Sequence, residues 1–531
     1  MKSATWLIVT FLVSVLFTTA SAESQFDVIV VGSGFAGLAA ANDLQEFGYD
    51  VLVLEARDRV GGRIHTISTT NGVALDEGAS WLHGFVDHPL KTIVEQNNLE
   101  TFQTDYNSVI VYDNNGNRIS SGQLDSNYDL FDDFIKFVEI KRFQYVKEND
   151  FDFSLQDVLD EFIVERNLTP KQVSDLNFAV MDSISQDLAA DPPTLSLWYD
   201  VVFRVEGGDF GGDDVPKGTD VILEKGYVSI IEIIESQLEQ IKLNHVVESI
   251  RYDQDGVLVT TNKGDFTADY VIVTVPLGVL KKGDIIFEPA LPEKKLQSIE
   301  KLSMGTMNKA YLVFPEMFWQ QDADYDWIEY FDGKTINWEA WLNIYKYTKD
   351  PILLAFNVGE YAQELERLSD EETVQNAMDV LRKIYGDSIP EPQEYFITRW
   401  YSDPFSYGSY SKTGVGATLV DYNILSEPVQ DKIFFAGEAT SEYPGTTHGA
   451  YFSGKREAFR VHMIKQESQG SPLFEFSTSE FPAPLKQMQS GMPISNIMCK
   501  DGFYLIKKIG RESAACVRPH TLDVLVERGW A

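Results

Sequence analysis

Three glycines near the amino terminus have the spacing of a dinucleotide-binding turn. In "DVIVVGSGFAGLAAANDL", Gly32, Gly34 and Gly37 give the pattern G-x-G-x-x-G. The first glycine permits a tight turn, the second lets a pyrophosphate approach the backbone, and the third lets a helix pack on a strand. The amide of Ala36, in the first turn of that helix, would face the phosphates. Alone, the triplet leaves a purely structural turn open.

The residues after the next apolar strand narrow the choice of nucleotide. That strand, "YDVLVLEA", ends at Glu55, whose carboxylate can accept hydrogen bonds from an adenosine ribose in NAD and FAD proteins alike. "RDRVGGRIHT" follows and places Arg57 and Arg63 around a second glycine pair that includes Gly62. Additional backbone amides and fixed cations suit the diphosphate of an extended FAD, and a simple NAD-binding unit does not need them. The sequence therefore favours FAD.

Together these motifs resemble the FAD site of the flavin-dependent amine oxidase superfamily, and three later segments match it too. "LDEGASWLHG" resembles the segment that passes the flavin ring, "HVVESIRYDQDGVLVTT" the strand pair that returns to the adenine, and "DKIFFAGEATSEYPGTTHGAYFSGKREA" the closing motif. The resemblance implies further FAD-binding residues, which are Gly78, Ala79, Ser80, Trp81, Val247, Glu438 and Thr447. Monoamine oxidases of this superfamily attach FAD through a cysteine. No cysteine precedes Cys499 here, so we expect FAD to be bound without a covalent bond.

The resemblance also implies two catalytic residues. Lys309, in "MGTMNKAYLVF", matches the family lysine that holds a water against flavin N5, and burial would lower the pKa of its amine. His83, in "GASWLHG", has the context found in polyamine oxidases, where an imidazole can bond a substrate nitrogen or carry its proton. A lysine on a wet strand face and a histidine that caps a turn are the alternatives. His448 is assigned to structure near the flavin, and no metal is expected.

An aromatic wall is expected above the flavin, since amine oxidases often guide the amine between two facing rings. The segment "TRWYSDPFSYGSYS" supplies Trp400, Phe405 and Tyr407 for one side. The residue before "THGAY" would supply the other ring, and here it is Thr446, as in animal polyamine oxidases. The cage is therefore incomplete, which favours long polyamines over small monoamines as substrates.

The elements that position these residues indicate a mixed α/β fold. Buried strands alternating with helices predict a largely parallel, Rossmann-like FAD-binding domain, made of residues 25–105, 220–290 and 396–467. Residues 106–219 and 291–395 are insertions, expected to form the substrate-binding domain of a two-domain FAD-dependent amine oxidase fold. Within them, "SLQDVLDEFIVERN", "LPEKKLQSIEKL" and "SDEETVQNAMDVLRKIYG" predict helices, and "NKAYLVF" and "ILLAFNVG" predict strands.

The charge of the chain is strongly acidic, with 81 Asp and Glu against 44 Lys and Arg and a formal net charge of −37. This argues against nucleic-acid binding, because a phosphate backbone needs a basic surface. A cationic substrate would be attracted by such a field. Solubility or salt tolerance is the alternative explanation of the acidity.

Both ends of the chain predict a protein that works outside the cytoplasm. Residues 1–22 combine a positive start, an apolar stretch and an A-x-A exit, which predicts a secretory signal peptide and no stable transmembrane segment after cleavage. Residues 468–482 predict a linker, and residues 483–531 resemble a small C-terminal module of secreted archaeal proteins that could bind a surface partner. In an exported protein, Cys499 and Cys516 predict a disulfide. An uncleaved anchor and free thiols are the alternatives.

Three functions are compatible with these features. The favoured one is an exported FAD-dependent oxidase of polyamines such as spermine or spermidine, with O2 as electron acceptor and an aldehyde and peroxide as products. The second is an FAD oxidase or dehydrogenase of another amine or an L-amino acid, which would need an arginine clamp for the carboxylate. The insertions offer few arginines for such a clamp, among them Arg118, Arg142, Arg166 and Arg204. The third is a non-catalytic exported flavoprotein that acts through its C-terminal module.

Overall fold

A computed structural model of the chain describes residues 25–86, 88–148, 152–197, 219–333, 337–441, 443–468, 504–507 and 514–517. The predicted signal peptide, the linker beyond residue 468 and Cys499 lie outside the described residues. Of the C-terminal module, the strands Tyr504–Lys507 and Ala514–Val517 are described and pair antiparallel. The disulfide and the domain boundaries stay predictions. Within the described ranges, none of the helices combines the length and apolar character needed to cross a membrane.

The strand of the first glycine motif lies inside a mixed eight-stranded sheet. Phe26–Val31 pairs in parallel with Val51–Leu54 on one side and Gly264–Val273 on the other. Phe26–Val31, Val51–Leu54 and the last four residues of Gly264–Val273 are almost wholly buried, as expected for parallel strands covered on both faces. From edge to edge the sheet runs Ile286–Glu288, Val247–Tyr252, Val257–Thr261, Gly264–Val273, Phe26–Val31, Val51–Leu54, Ile241–Lys242, with Ile433–Phe435 beside Gly264–Val273. The prediction of a mixed, largely parallel sheet is confirmed.

Two helices cover the sheet where the first and last motifs meet. Phe35–Glu46 packs closely against Thr447–Ser468. The contact requires glycine at position 454, because a Cβ there would lie only 2.1 Å from the carbonyl oxygen of Ala36. Lys455 on the second helix pairs with Asp43 on the first at 2.5 Å. Motifs about 400 residues apart in sequence are thereby brought to the same end of the sheet.

Both insertions contribute to a second, six-stranded sheet. Its order is Glu394–Ile397, Met307–Val313, Ile352–Val358, Ala340–Asn343, Trp327–Phe331, Val109–Asp113. The strands predicted from "NKAYLVF" and "ILLAFNVG" are confirmed and are direct neighbours in it. One face packs against the helix Asp370–Tyr385, which was also predicted. The other face, which carries Lys309, packs against the predicted FAD-binding domain.

Helices from the first insertion form a separate layer. Leu155–Arg166 was predicted, and it starts with a capping box in which Ser154 accepts the amide of Asp157. The helices Ser121–Glu148 and Pro170–Val180 pack beside it around a core of Phe134, Phe162 and other apolar side chains. Pro170–Val180 continues into a π-helical turn, Met181–Ser185.

Shorter elements connect these layers. The remaining paired strands are Thr66–Ser68 with Ala74–Asp76; Trp81–Leu82 and Thr101–Gln103 with Val221–Leu223; and Ser303–Gly305 with Tyr410–Lys412. The remaining α-helices are Lys91–Gln96, Gln186–Leu188, Val228–Glu235, Leu277–Lys282, Glu293–Lys301, Tyr345–Thr348, Gly359–Leu365 and Leu419–Ser426. The 3-10 turns are Pro192–Thr194, Gln320–Asp322 and Glu438–Thr440. Glu293–Lys301 was predicted from "LPEKKLQSIEKL".

Candidate active site

Of the three glycines in the first turn, only Gly34 has open space beside its Cα. Gly32 has a φ of +103°, and a Cβ at Gly37 would lie 2.0 Å from the carbonyl oxygen of Gly32, so the turn cannot form with larger residues at these positions. A Cβ at Gly34, by contrast, would meet nothing within 4 Å. No described side chain caps the amino terminus of the helix Phe35–Glu46. Its first amides therefore face an open cradle of the kind that receives a pyrophosphate.

The second glycine pair packs directly on the first turn. The amide of Gly61 donates to the carbonyl of Ser33 at 2.9 Å, and a Cβ at Gly62 would lie 3.1 Å from the Cα of Gly34. The two glycine motifs, predicted to meet at one diphosphate, are in contact.

Glu55 is buried at the carboxyl end of its strand, beside the glycine turn. Its carboxylate accepts hydrogen bonds from the amide and the hydroxyl of Ser33, both at 2.7 Å, and from the amide of Arg57 at 2.8 Å. A carboxylate offers about four acceptor positions, so one remains for a ribose hydroxyl.

The arginines of the second motif are anchored by carboxylates. Arg57 forms a two-pronged ion pair with Asp403, with both N···O distances at 2.8 Å. Arg63 donates to the buried Glu438 and to the carbonyl of Ser409, each at 2.9 Å. Glu438 also accepts the amide of Gly445 at 2.7 Å within the closing motif, so its pair with Arg63 connects this motif to the second glycine motif. A pocket at the carboxyl ends of the parallel strands has Arg63 and Glu438 in its lining.

The closing motif is also tied to the flavin-passing segment. The hydroxyls of Thr447 and Tyr227 are 2.6 Å apart, and the amide of Tyr227 donates to the carboxylate of Asp76 at 2.9 Å. Burial raises the pKa of Asp76 to about 6, although the nearby Lys309 ammonium counteracts part of that rise. Val247 begins a strand that carries a register shift between residues 247 and 249.

Lys309 is buried at the centre of this arrangement. Its ammonium donates to the carbonyl of Asp76 at 2.8 Å, to the carbonyl of Gly78 at 2.6 Å and to the hydroxyl of Ser80 at 2.5 Å. All three donors are thereby used on the segment Asp76–Ser80. Burial lowers the pKa of Lys309 to about 8, opposed by the charge of Asp76. The structure therefore places Lys309 inside the protein rather than on a wet strand face.

Gly78 and Ala79 shape the segment that Lys309 holds. A Cβ at Gly78 would lie 1.7 Å from the carbonyl oxygen of Arg63, so only glycine fits there. The amide of Ala79 donates to the same carbonyl at 3.2 Å. The segment consequently runs alongside the second glycine motif.

Aromatic rings surround the Lys309 ammonium. The ammonium lies 5.7 Å from the centroid of Trp81 and 5.9 Å from that of Phe356. Trp81 stacks at 6.2 Å on Trp327 and at 6.5 Å on His83. Rings of this kind exclude water and attract cations to their faces.

His83 is held by a buried carboxylate. Its Nδ1 lies 2.6 Å from Asp220, whose other oxygen accepts the amide of Gly84 at 2.7 Å. The pKa of Asp220 is below its usual value, because the hydrogen bonds from His83 and Gly84 outweigh the desolvation that raises it. The structure gives His83 a specific polar partner one aromatic ring away from Lys309.

Two further histidines lie near His83. His88 and His448 meet edge to face, with their centroids 5.5 Å apart. Burial lowers the pKa of His88 to about 3 and that of His448 to about 4, so both are neutral near neutral pH. Within the described structure, the Nε2 of His88 has no hydrogen-bond partner.

The residues predicted to line the substrate are separated. Trp400 donates through Nε1 to the carbonyl of Glu77 at 3.1 Å, next to the segment that Lys309 holds. Thr446 donates to the carbonyl of Tyr443 and accepts the amide of Gly449, so it caps the last helix. Phe405 packs instead under the Arg57 guanidinium at 5.3 Å, and Tyr407 under the Lys282 ammonium at 5.1 Å. These contacts do not support a substrate-lining role for Phe405 or Tyr407.

Sequence reasoning missed three residues that organise the site. Asp76 and Tyr227 connect the flavin-passing segment to the closing motif, and Asp220 holds His83. Asp76 stands inside the quoted "LDEGASWLHG", so its position beside Gly78 was the available signal. No local spacing marks Asp220, because 137 residues separate it from His83 in the sequence.

Comparisons with known proteins agree on one family. The family described as flavin containing amine oxidoreductase matches residues 35–462. Polyamine oxidase 2 of Arabidopsis thaliana is 34% identical over 461 residues, which cover 83% of this chain and 89% of the relative. Polyamine oxidase 3 of Oryza sativa subsp. japonica is 35% identical over 453 residues, which cover 82% of this chain and 89% of the relative.

Other relatives share only part of their length or only the fold. Lysine-specific histone demethylase 1 homolog 1 of Arabidopsis thaliana is 34% identical over 84% of this chain, but the chain spans only 53% of that relative. A solved structure of a redesigned putrescine oxidase superposes with a TM-score of 0.66 at 21% identity, over 83% of this chain and 99% of that one. This last likeness shows the two-domain fold and carries no statement about substrate.

Proposed function

This chain belongs to the flavin containing amine oxidoreductase family, and from that premise we propose that it oxidises polyamines. The enzyme class and the FAD cofactor follow from the family. The substrate, the electron acceptor and the site of action are the proposal. The observation that carries it is the pairing of His83 with the buried Asp220, one ring away from the buried Lys309.

The described residues fit FAD. The open side of Gly34 and the uncapped helix behind it would receive the diphosphate, and Glu55 has an acceptor position left for the ribose. Glu438 and Arg63 would fix the closing motif along the cofactor. When bound, FAD accepts a hydride equivalent from the carbon beside the amine nitrogen.

The protein side chains have to present a neutral amine for that reaction. A substrate ammonium must lose a proton, and His83 is suited to hold it because Asp220 fixes its Nδ1 and orients the ring. Trp81 and Phe356 would keep water from the reacting end and favour a cation at their faces. Lys309 would keep the segment Asp76–Ser80 in position and exchange a proton near its lowered pKa of about 8.

Three observations favour polyamines over other amines. Thr446 is occupied as a helix cap and supplies no second ring, so a small monoamine would be held weakly. The net charge of −37 attracts polycations. The relatives of which the chain covers 89% carry the name polyamine oxidase.

An L-amino acid is the second candidate substrate, and it needs a free arginine. Arg118 is committed to the buried Asp322 at 2.6 Å, and Arg166 lies over the ring of Phe162 at 5.5 Å. Both sit away from Lys309 in the helical and sheet layers of the insertions. This arrangement makes a carboxylate clamp from them unfavourable.

Anaerobic bleaching of the flavin tests the proposal. Purified holoenzyme is mixed in turn with spermine, spermidine, acetylated polyamines, a monoamine and several L-amino acids, and flavin absorbance is followed. Loss of colour with polyamines alone is the expected result, and recovery on admitting air would identify O2 as an acceptor. Bleaching by an amino acid and not by polyamines would refute the polyamine proposal.

We also propose that the protein is exported. The support is the charge and apolar pattern of residues 1–22. Expression in a secreting host followed by amino-terminal sequencing should give a mature start at residue 23. A protein retained in the cytoplasm with an intact amino terminus would contradict export without bearing on the substrate.

A further inference from the structure

The sequence contains a single Asn-x-Ser/Thr triplet, and the triplet lies at a corner of the helical layer. It consists of Asn167, Leu168 and Thr169, so that a hydroxyl stands two places after the asparagine and the residue between them is not proline. These residues connect the helix Leu155–Arg166 to the helix Pro170–Val180. Such triplets accept N-linked glycans on the surfaces of exported proteins.

The turn between the two helices exposes the asparagine. Asn167 ends the first helix in the left-handed conformation, with φ 50° and ψ 49°, and its side chain is exposed. Asparagine is one of the few residues that adopt this conformation readily. The backbone amide of Asn167 donates to the carbonyl of Val164 at 3.2 Å, so the turn itself is hydrogen-bonded. A bulky group on the Asn167 side chain would therefore extend into solvent rather than into the core.

The hydroxyl of the triplet belongs to the cap of the next helix. Thr169 is also exposed, and its backbone is extended, with φ −71° and ψ 157°. Its hydroxyl donates to the side-chain oxygen of Gln172 at 2.9 Å, and the same oxygen accepts the amide of Thr169 at 3.0 Å. Pro170 begins the helix and restricts Thr169 to extended conformations. Helix caps on both sides thus keep the triplet at the surface.

An exposed apolar side chain lies beside the same turn. Val164 is 80% exposed, more than any other large apolar side chain in the described part of the chain. It precedes Asn167 by three residues, and residues with this spacing are neighbours on the surface of a helix. A glycan on Asn167 would therefore lie over Val164.

We propose that Asn167 carries an N-linked glycan whose first sugars cover Val164. This inference rests on the proposed export, because the modifying transferase acts on exported chains. The sugar comes from a lipid-linked phosphate or pyrophosphate. The bond between the anomeric carbon and the phosphate oxygen breaks, and a bond between that carbon and Nδ2 of Asn167 forms. The lipid phosphate leaves with the bonding electrons, and one amide proton passes to a base of the transferase.

Peptide mapping of the secreted protein tests the acceptor. Residues 23–531 are secreted from a eukaryotic host behind the signal peptide of that host, so that entry into the pathway does not depend on residues 1–22. Treatment with peptide N-glycosidase in heavy-oxygen water converts a glycosylated asparagine into labelled aspartate. Label is expected at Asn167. Asn98 is the internal control, because it is exposed, has a φ of 52° and precedes a leucine, but Glu100 stands where the hydroxyl is needed.

Substitutions at the triplet separate modification from folding. Thr169→Ser and Thr169→Asp both keep a side chain that caps the helix, but only serine keeps the hydroxyl. The glycan should therefore be retained in the first variant and lost in the second. Asn167→Gly, which keeps the left-handed turn, should lose it too. Because Pro170 stiffens the triplet, wild type is expected to be modified in part, and Pro170→Ala should raise the modified fraction.

Binding of a dye specific for apolar surface tests the covering of Val164. Asn167→Gly should bind more dye than the glycosylated wild type, and Val164→Ser in the same chain should remove the increase. The corner lies in the helical layer, whose core is separate from the sheet that carries Lys309, so kcat/KM should be unchanged in these variants. Equal dye binding by wild type and Asn167→Gly would overturn the covering of Val164.

The remaining outcomes distinguish the glycan from the proposed function. An unlabelled Asn167 in the secreted protein, or label that persists in Thr169→Asp, would overturn the glycan and leave export and polyamine oxidation standing. Label at Asn167 behind the host signal peptide, together with retention of the full chain behind residues 1–22, would support the acceptor and refute export alone. Anaerobic bleaching of the flavin by polyamines is measured on the same preparations and decides the substrate independently.

Discussion

At the scale of single residues, Lys309 is a buried amine whose charge depends on pH near neutrality. Its pKa of about 8 lies below the usual 10.5, so the folded protein favours the neutral amine. Between these two values the unfolded chain holds a proton that the folded chain has released, and the lysine's contribution to the free energy of unfolding therefore rises with pH. The same ionisation changes the number of protons beside the reacting end of the substrate.

We predict that Lys309→Met abolishes two pH-dependent effects of this ionisation, one on kcat/KM and one on the free energy of unfolding. The pH profile of kcat/KM in wild type should change through about pH 8, and the variant profile should not. Denaturant unfolding between pH 8 and 10 should show a pH-dependent gain of at most about 3 kcal/mol in wild type, and this gain should be absent in the variant. A variant with an unaltered pH profile would exclude Lys309 from proton transfer.

Lys295→Met is the matched control for a buried lysine outside the site. The Lys295 ammonium donates to the carbonyls of Ile424, Leu425 and Glu427 and so holds the end of the helix Leu419–Ser426. Loss of these bonds should lower the free energy of unfolding by about 1–3 kcal/mol. It should leave the pH profile of kcat/KM unchanged, which would show that the effect at Lys309 is local.

Asp220 gives a second prediction at this scale. Asp220→Asn offers His83 an amide in place of a carboxylate, while one oxygen still has to accept the amide of Gly84. The imidazole then loses its fixed tautomer, and kcat/KM for polyamines should fall about 10- to 100-fold. Flavin content should stay normal, because Asp220 contacts His83, Gly84 and Thr104 rather than the glycine turns.

Acid unfolding supplies an independent readout for the same variant. The lowered pKa of Asp220 means that its carboxylate stabilises the fold above the unfolded value of 3.8, and that this stability is lost as pH falls through the lower folded value. Asp220→Asn should therefore flatten the acid limb of the stability profile. Glu95→Gln, on the exposed face of the helix Lys91–Gln96, serves as the charge control.

Among the structural elements, the first glycine turn contains one position where substitution should affect cofactor binding and another where it should affect folding. A Cβ at Gly34 meets nothing within 4 Å, whereas one at Gly37 lies 2.0 Å from the carbonyl oxygen of Gly32. We predict that Gly34→Ala folds with an unfolding free energy within about 1 kcal/mol of the wild-type apoprotein, but purifies with little flavin. Gly37→Ala should be strongly destabilised. A Gly34→Ala protein that retains full flavin would show that the phosphates do not approach this turn.

The type and position of most elements could be predicted from the sequence, but the contacts between distant elements could not. Short, mainly apolar segments such as Phe26–Val31 and Met307–Val313 are buried on both faces, and their composition favours strands. Ser154 with Asp157, and Ser369 with Glu372, form capping boxes whose spacing is visible in the chain. Local signals of this kind define where an element starts and what type it is.

Contacts between distant elements carry no such signal. Arg57 is predicted to bind FAD because arginines beside glycines suit phosphate, and nothing near it in the sequence indicates that its guanidinium also pairs with Asp403, 346 residues away. The aromatic density of residues 398–411 suggested a substrate wall, but Phe405 packs under Arg57. Asp182 and Glu329 interact only because a helical turn of one insertion packs near a strand of the other. Register and packing decide these pairs, and both depend on the whole fold.

At the scale of the whole molecule, the net charge of −37 has two competing explanations with opposite responses to salt. If the field steers a polycation to the site, ions that screen it should slow association, because the Debye length shrinks from about 10 Å at 0.1 M to about 3 Å at 1 M. If the acidity serves salt tolerance, low salt should instead weaken the fold through self-repulsion. We favour steering, because the proposed substrate is a polycation.

The prediction is a graded fall of kcat/KM with ionic strength. Between 0.05 and 0.5 M NaCl, kcat/KM for spermine should fall about tenfold or more, while that for a monoamine of similar length falls much less, because the attraction scales with substrate charge. The value of kcat should stay nearly constant, since steering acts on encounter and not on the bound complex. The free energy of unfolding, measured with denaturant over the same salt range, tests the salt-tolerance explanation. A kcat/KM for spermine that does not respond to salt, together with a fold that gains stability as salt rises, would assign the acidity to salt tolerance.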